Sequence, residues 1–177
     1  SENSSDLDSL NYAKNVFGIL REGASVKMNP KFPVSITSAE RPPSLVFKTS
    51  GTSGNPREHW HSWDGLKAAS KRLKVFLNND KPVDTICCLP IYHVGGWMQV
   101  ARAWFLGGSV TFIDYKELAK SEKANLCEKR YLSLVPAQLF DLLKSADAVA
   151  NLRRCNGIFI GGAHCRSEIS QKAREAQ

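Results

Sequence analysis

The chain has 177 residues, 42% of them apolar, which suits a single domain with its own core and excludes a disordered segment. Its net charge of +7 suits binding of ATP or another anion, and because the positives are scattered, nucleic acid is not the expected main partner. No apolar run approaches the roughly 18–20 residues of a membrane span, and the polar, acidic start Ser1-Glu2-Asn3-Ser4-Ser5-Asp6 shows no signal peptide, so a cytoplasmic location is expected.

The first residue is not Met, so the chain reads as processed, tagged or cut from something larger. Residues 1–9 read as loose. Leu7, Leu10, Ala13, Phe17 and Leu20 then recur at helical spacing. Residues 22–43 hold Gly23, Pro30, Pro33, Pro42 and Pro43 and read as an irregular, extended connection. Leu45-Val46-Phe47 is a strand. His59 and His61 alternate as a strand would and share a face. Ser62 can cap a helix whose apolar stripe is Leu66, Ala69, Leu73 and Phe76, with Lys67, Lys71, Arg72 and Lys74 as its wet side.

Thr85-Ile86-Cys87-Cys88-Leu89 is a strand that ends at Pro90. Cys87 and Cys88 are adjacent in it and point to opposite faces. Residues 97–106 form a short apolar helix stopped by Gly107-Gly108. Val110-Thr111-Phe112-Ile113 is a strand, and a helix spans about residues 118–127. Tyr131-Leu132-Ser133-Leu134-Val135 is a strand, and Pro136 opens a helix with Leu139, Leu142 and Leu143 on one face. Ile158-Phe159-Ile160 is a strand, Gly161-Gly162 a turn, and a helix starts near Ser167.

Strands alternating with helices imply an α/β fold with a largely parallel sheet and flanking helices. Residues 1–43 are expected as an N-terminal helix and Pro-rich connection, and 44–177 as the α/β domain. Three unusual loops, 48–57, 90–96 and 161–165, each follow a strand. In an open α/β sheet that places them on one ligand-side edge. Five cysteines without a Cys-x-x-Cys read as reduced thiols, and no metal site is expected.

The loop Thr49-Ser50-Gly51-Thr52-Ser53-Gly54-Asn55-Pro56-Arg57 is the most informative. Its hydroxyls, glycines and fixed cation can wrap a polyphosphate, because glycine lets backbone N–H groups approach the oxygens. It is not a Walker A loop, since Gly51 and Gly54 are two residues apart and no Gly-Lys follows. His93 stands between a strand end and the pair Gly95-Gly96. Arg102 lies inside an apolar run, where a guanidinium needs a partner: a substrate carboxylate, an ion pair or solvent.

Together these segments resemble the acyl-adenylate-forming, AMP-binding superfamily. Thr49–Arg57 is similar to that family's phosphate loop, Leu89-Pro90-Ile91-Tyr92-His93 to its Leu-Pro-aromatic-His segment, Leu134-Val135-Pro136 to its strand-to-helix step, and Gly161-Gly162-Ala163 to its adenine-side Gly-Gly-Ala. Within the family the resemblance is greatest to the o-succinylbenzoate–CoA ligases of menaquinone and phylloquinone synthesis. The resemblance implies ATP, Mg²⁺ and coenzyme A, with a small carboxylic acid as substrate. It implies Thr49, Ser50, Gly51, Thr52, Ser53 and Gly54 around the phosphates, Gly161, Gly162 and Ala163 beside adenine, Arg57 and His93 in catalysis, and Arg102 with His93 on the acid.

Two departures stand out: Arg57 replaces the family's usual Lys, and Glu58 replaces its usual Gly, beside the phosphates. The family's Tyr-Gly-x-Thr-Glu segment, ribose-binding Asp and late catalytic Lys would fall beyond Gln177. The chain is therefore expected to be part of the family's large domain, with a non-catalytic nucleotide-binding or interaction module as the alternative.

Overall fold

The computed structural model describes residues 4–37, 41–49 and 57–175. Helix α1 (Ser4–Arg21) begins earlier than the loose start expected for residues 1–9. Strands β1 (Ser25–Lys27) and β2 (Val34–Ile36) lie within the Pro-rich connection, which is therefore less irregular than its composition suggests. Strand β3 (Ser44–Thr49) pairs in parallel with β1 and in antiparallel with β4 (Arg57–Ser62). These four form one mixed sheet in the order β2-β1-β3-β4.

Helix α2 (Trp63–Phe76) follows β4. Ser62 caps it by accepting from the Gly65 N–H at 3.1 Å. The inward positions are Leu66 and Ser70, with Leu73 and Leu77 half-buried after them. Phe76, expected in the buried stripe, is 81% exposed. One residue of helix turns a side chain by about 100°, and at the last turn Leu73 and Leu77 occupy the inward row.

The second sheet is β6-β5-β7-β8 and entirely parallel. It runs β5 (Thr85–Cys87), α3 (Val94–Leu106), β6 (Val110–Phe112), α4 (Ala124–Cys127), β7 (Tyr131–Leu134), α5 (Pro136–Leu142), α6 (Ala146–Leu152), β8 (Gly157–Ile160) and α7 (Ser167–Glu175). Gly107 ends α3 in the left-handed conformation at φ 72°, as its position after an apolar helix predicts. The expected helix over 118–127 is instead two 3-10 turns, Tyr115–Ala119 and Ser121–Lys123, before α4. Asn151 explains the break: its Nδ2 donates to the Leu118 and Lys120 carbonyls at 2.9 and 2.8 Å, and it holds that segment against α6.

Two cores result. The first joins α1 (Tyr12, Ala13, Val16), the mixed sheet (Val26, Leu45, Phe47), Cys87 and α3 (Trp97, Val100, Ala101), and so ties both sheets together. The second lies under α4 to α7 and holds Ile86, Leu118, Leu132, Leu134, Leu139 and Leu152. Cys87 belongs to the first core and Cys88 packs against the second, the opposite-face placement that strand periodicity demands. Burial pushes the Cys87 thiol up to about 11.

Candidate functional site

A cleft of about 560 Å³ opens where β5, β7 and β8 end, beside the first turns of α3. Parallel strands release their chain at one edge, so the segments after β5 and β8 meet there. His93 is the residue before α3. It is exposed, lines the cleft and sits against Tyr92 with ring centroids 4.6 Å apart. Its backbone closes the turn, donating to the Pro90 carbonyl at 3.1 Å and accepting from Trp97 N–H at 2.9 Å.

Gly95 and Gly96, expected in the loop 90–96, are helical instead, so α3 starts at Val94 rather than 97. Gly96 is what permits this. A Cβ on it would stand 2.2 Å from the Pro90 carbonyl oxygen, so only glycine lets α3 pack this closely on the strand end. The remaining first-turn N–H groups of α3 give that side of the cleft a partial positive charge.

Inside the cleft three polar side chains converge. Gln99 is 1% exposed and bridges α3 to β7: its Nε2 donates to the Gly95 carbonyl at 3.2 Å and to Ser133 Oγ at 2.5 Å. The carbonyl requires a donor, which fixes the orientation of the amide. Its Oε1 is buried with no partner. Arg102 lies one turn further along α3, with its Cζ 5.0 Å from the Phe159 ring centroid. Its Nε and Nη1 are buried without a hydrogen bond, and burial lowers its pKa from the ordinary arginine value. Ser133 and Phe159 are cross-strand partners on β7 and β8 and form the floor. The cleft thus offers unsatisfied guanidinium donors over an aromatic face, a setting suited to a planar anionic ligand.

Gly161 and Gly162 line the far side of the same cleft. Gly162 takes φ 81°, and the Gly161 N–H donates to the Leu134 carbonyl at 3.2 Å, holding the turn on the end of β7. Ala163 is exposed just beyond them and is not part of the lining. The step from β7 into α5 is fixed by Gln138, whose Oε1 accepts from the Val135 N–H at 3.1 Å and whose Nε2 donates to the Cys88 carbonyl at 3.3 Å.

The strand before the Ser/Gly/Thr segment lies in a different sheet from the one expected: β3 pairs in antiparallel with β4 in the mixed sheet, and neither strand belongs to the parallel sheet. Ser50, Gly51, Thr52, Ser53 and Gly54 lie outside the described residues. Thr49 and Arg57 are exposed register partners at the facing ends of β3 and β4. Glu58, which placed an acid beside this loop, is ion-paired with Lys27 on β1, and that pairing lowers its pKa.

Sequence reasoning located His93, Arg102 and the glycines but not Gln99, Ser133, Phe159 or Lys27. A signal existed for two of them: Gln99 and Ser133 are polar residues inside otherwise apolar runs. Nothing local marks the others, because their importance comes from pairing across strands.

The profile of the AMP-binding enzyme family matches residues 8–177. The 2-succinylbenzoate–CoA ligase of Escherichia coli K12 is 28% identical over 127 residues, 72% of this chain and 26% of that protein. A protein of Mycobacterium tuberculosis named "Probable 2-succinylbenzoate–CoA ligase" is 30% identical over 140 residues, 75% of this chain and 36% of that protein. The chain therefore spans about a quarter to a third of the length of these relatives.

Among solved structures, a double mutant of o-succinylbenzoate CoA synthetase (MenE) from Bacillus subtilis with the product analogue OSB-NCoA superposes with a TM-score of 0.64 at 18% identity, over 75% of this chain and 27% of that one. ATP-bound MatB from Rhodopseudomonas palustris gives 0.62 at 23% identity, over 74% and 26%. These likenesses establish the shared fold.

Proposed function

The chain belongs to the AMP-binding enzyme family, and on that premise we propose that it forms part of an AMP-forming acid–CoA ligase of the o-succinylbenzoate class. The observation that carries the acid's identity is Arg102, whose buried, unpartnered N–H groups over Phe159 need an anion next to an aromatic ring. An aromatic acid with a second carboxylate supplies both.

In the proposed reaction an oxygen of the acid's reactive carboxylate attacks the α-phosphorus of ATP, and pyrophosphate leaves. The thiolate sulfur of coenzyme A then attacks the acyl carbon, AMP leaves, and a thioester remains. Charge builds on phosphate oxygens in the first step, so preorganised donors dominate catalysis. Thr49, Ser50, Gly51, Thr52, Ser53 and Gly54 are assigned to the β- and γ-phosphates, with Arg57 adding a fixed charge. His93 stands at the junction of acid and nucleotide. Gly161, Gly162 and Ala163 pass beside adenine, and Arg102 holds the distal carboxylate. Mg²⁺ accompanies ATP in such chemistry. Among the described residues no group of three or more His, Cys, Asp or Glu is placed to hold a metal, and no step is assigned to one.

Calorimetric titration with o-succinylbenzoate and with 4-oxo-4-phenylbutanoate, which lacks the ring carboxylate, tests the reading. The dianion is expected to bind about tenfold tighter or more, the worth of a charge-assisted contact, and Arg102→Ala should erase the difference. Equal binding of the two acids to the unaltered chain would sink the assignment of the acid. ATP binding that survives Ser50→Ala with Gly51→Ala would remove the loop as the phosphate site.

A further inference from the structure

Helix α2 carries a surface that ligase chemistry does not use. Lys67, Lys71 and Val75 follow one another at four-residue spacing, as do Ala68, Arg72 and Phe76, so the two rows adjoin on the solvent side. Lys67, Lys71 and Arg72 are exposed and Lys74 is half-buried. Among the described residues none of these four cations has an ion-pair partner. Asp64 lies at the opposite end of the helix and Asp80 beyond its end, followed by Lys81. At the C-terminal turn Val75 and Phe76 are 80% and 81% exposed. The helix end is well defined: Leu77 N–H closes on the Leu73 carbonyl at 2.9 Å, and Asn78 turns out at φ 46°.

We propose that this end of α2 docks the protein onto an anionic membrane surface, with the four cations against lipid phosphates and Val75 and Phe76 in the boundary between headgroups and acyl chains. Unpaired cations beside bare apolar side chains match an anionic bilayer in charge and polarity together. A stable protein partner needs about 800 Å² on each side, far more than two side chains at a helix tip provide. No helix among the described residues is long and apolar enough to cross a membrane, so the contact is peripheral. Each cation near an anionic surface is worth about fivefold in affinity. Binding requires neither ATP nor acid, so it stands apart from the ligase reading.

The test is co-sedimentation of the 177-residue chain with vesicles of phosphatidylcholine alone and with about one-third phosphatidylglycerol. Binding to the anionic vesicles should be at least about tenfold tighter. Val75→Ser with Phe76→Ser should weaken it about tenfold, and Lys71→Glu with Arg72→Glu should bring it to the neutral-vesicle level. All four sites are exposed, so circular dichroism melts should match the parent chain. Equal affinity for both vesicle types, binding to neither, or full affinity in the double serine variant would each overturn the proposal. So would a dimer that the serine variant dissociates, or tighter binding of a DNA duplex that the serine variant retains. These last results would assign the face to a second copy or to nucleic acid.

Discussion

Arg102 and Phe159 meet across the cleft with the guanidinium carbon 5.0 Å from the ring centroid, and the ring face is the contact recorded for a cation whose Nε and Nη1 are otherwise buried without hydrogen bonds. A buried, unsatisfied charge destabilises the empty fold and rewards an anion that fills the site. Arg102→Met should therefore raise the unfolding midpoint, by about 2–4 °C for each kcal/mol recovered, while removing the preference for a second carboxylate. A melt and a titration on one sample check both. A lower midpoint would show that Arg102 supports the fold.

Gly96 tests how the cleft is built. Gly96→Ala forces a Cβ to 2.2 Å from a backbone oxygen, so the start of α3 must move off Pro90. A loss of about 3 kcal/mol or more is expected, with loss of acid binding. Gly107→Ala is the control: nothing lies within 4 Å of the added Cβ, and only the φ of 72° opposes it. That change should cost about 1 kcal/mol and leave binding intact. Urea midpoints separate the two.

Lys27 neutralises the acid that departs from the family's glycine. Lys27→Ala should weaken ATP binding severalfold by leaving Glu58 without its ion-pair partner near the loop, with Lys48 opposite it on β3 as a weaker counter-charge, and adding Glu58→Gln should restore it. If the double variant binds ATP no better than Lys27→Ala, Glu58 does not act on the phosphates. The Lys27 pairing lowers the Glu58 pKa from the ordinary glutamate value of 4.5. Its contribution to stability is therefore complete above that value and disappears as pH falls below it.

His61 sets a second pH dependence. Burial is the larger cause of its lowered pKa and the nearby His59 the smaller, and its ring meets Phe47 edge-on with centroids 5.6 Å apart. The unfolded chain takes up a proton on this residue at higher pH than the folded chain does. Stability is thus highest above the ordinary histidine value of 6.5 and falls as pH drops through and below it. Denaturation at pH 7.5 and 5.5 should show the loss, and His61→Gln should reduce it. An unchanged slope in that variant would remove His61 as the cause.

Much of the fold was legible because it is written in local periodicity. The run ending at Pro90 placed Cys87 and Cys88 on opposite faces, and they serve different cores. Ser62 before an amphipathic stripe predicted the start of α2, and its cap is present. The errors fall where a distant residue overrides a local signal. Asn151 takes carbonyls near Leu118 and breaks an expected helix, and helix α6, only seven residues long, left too short a pattern to detect. The glycines at 95 and 96 read as part of a loop because the sequence does not reveal how closely Pro90 approaches.

The candidate site divides in the same way. The residues of the Thr49–Arg57 loop, the His93 segment and Gly161-Gly162 were recognisable by type and order, and the match to the AMP-binding enzyme family agrees. By itself the sequence determined which side chains could carry the chemistry and which way each strand faces, because both are properties of a few neighbouring residues. Only the tertiary structure decided that β5 to β8 belong to one sheet and β3 and β4 to another, that Lys27 meets Glu58, and that Gln99, Arg102, Ser133 and Phe159 surround one cleft. Those outcomes depend on strand order and register, and strands distant in the chain choose their neighbours by burying a shared core, which no local spacing encodes.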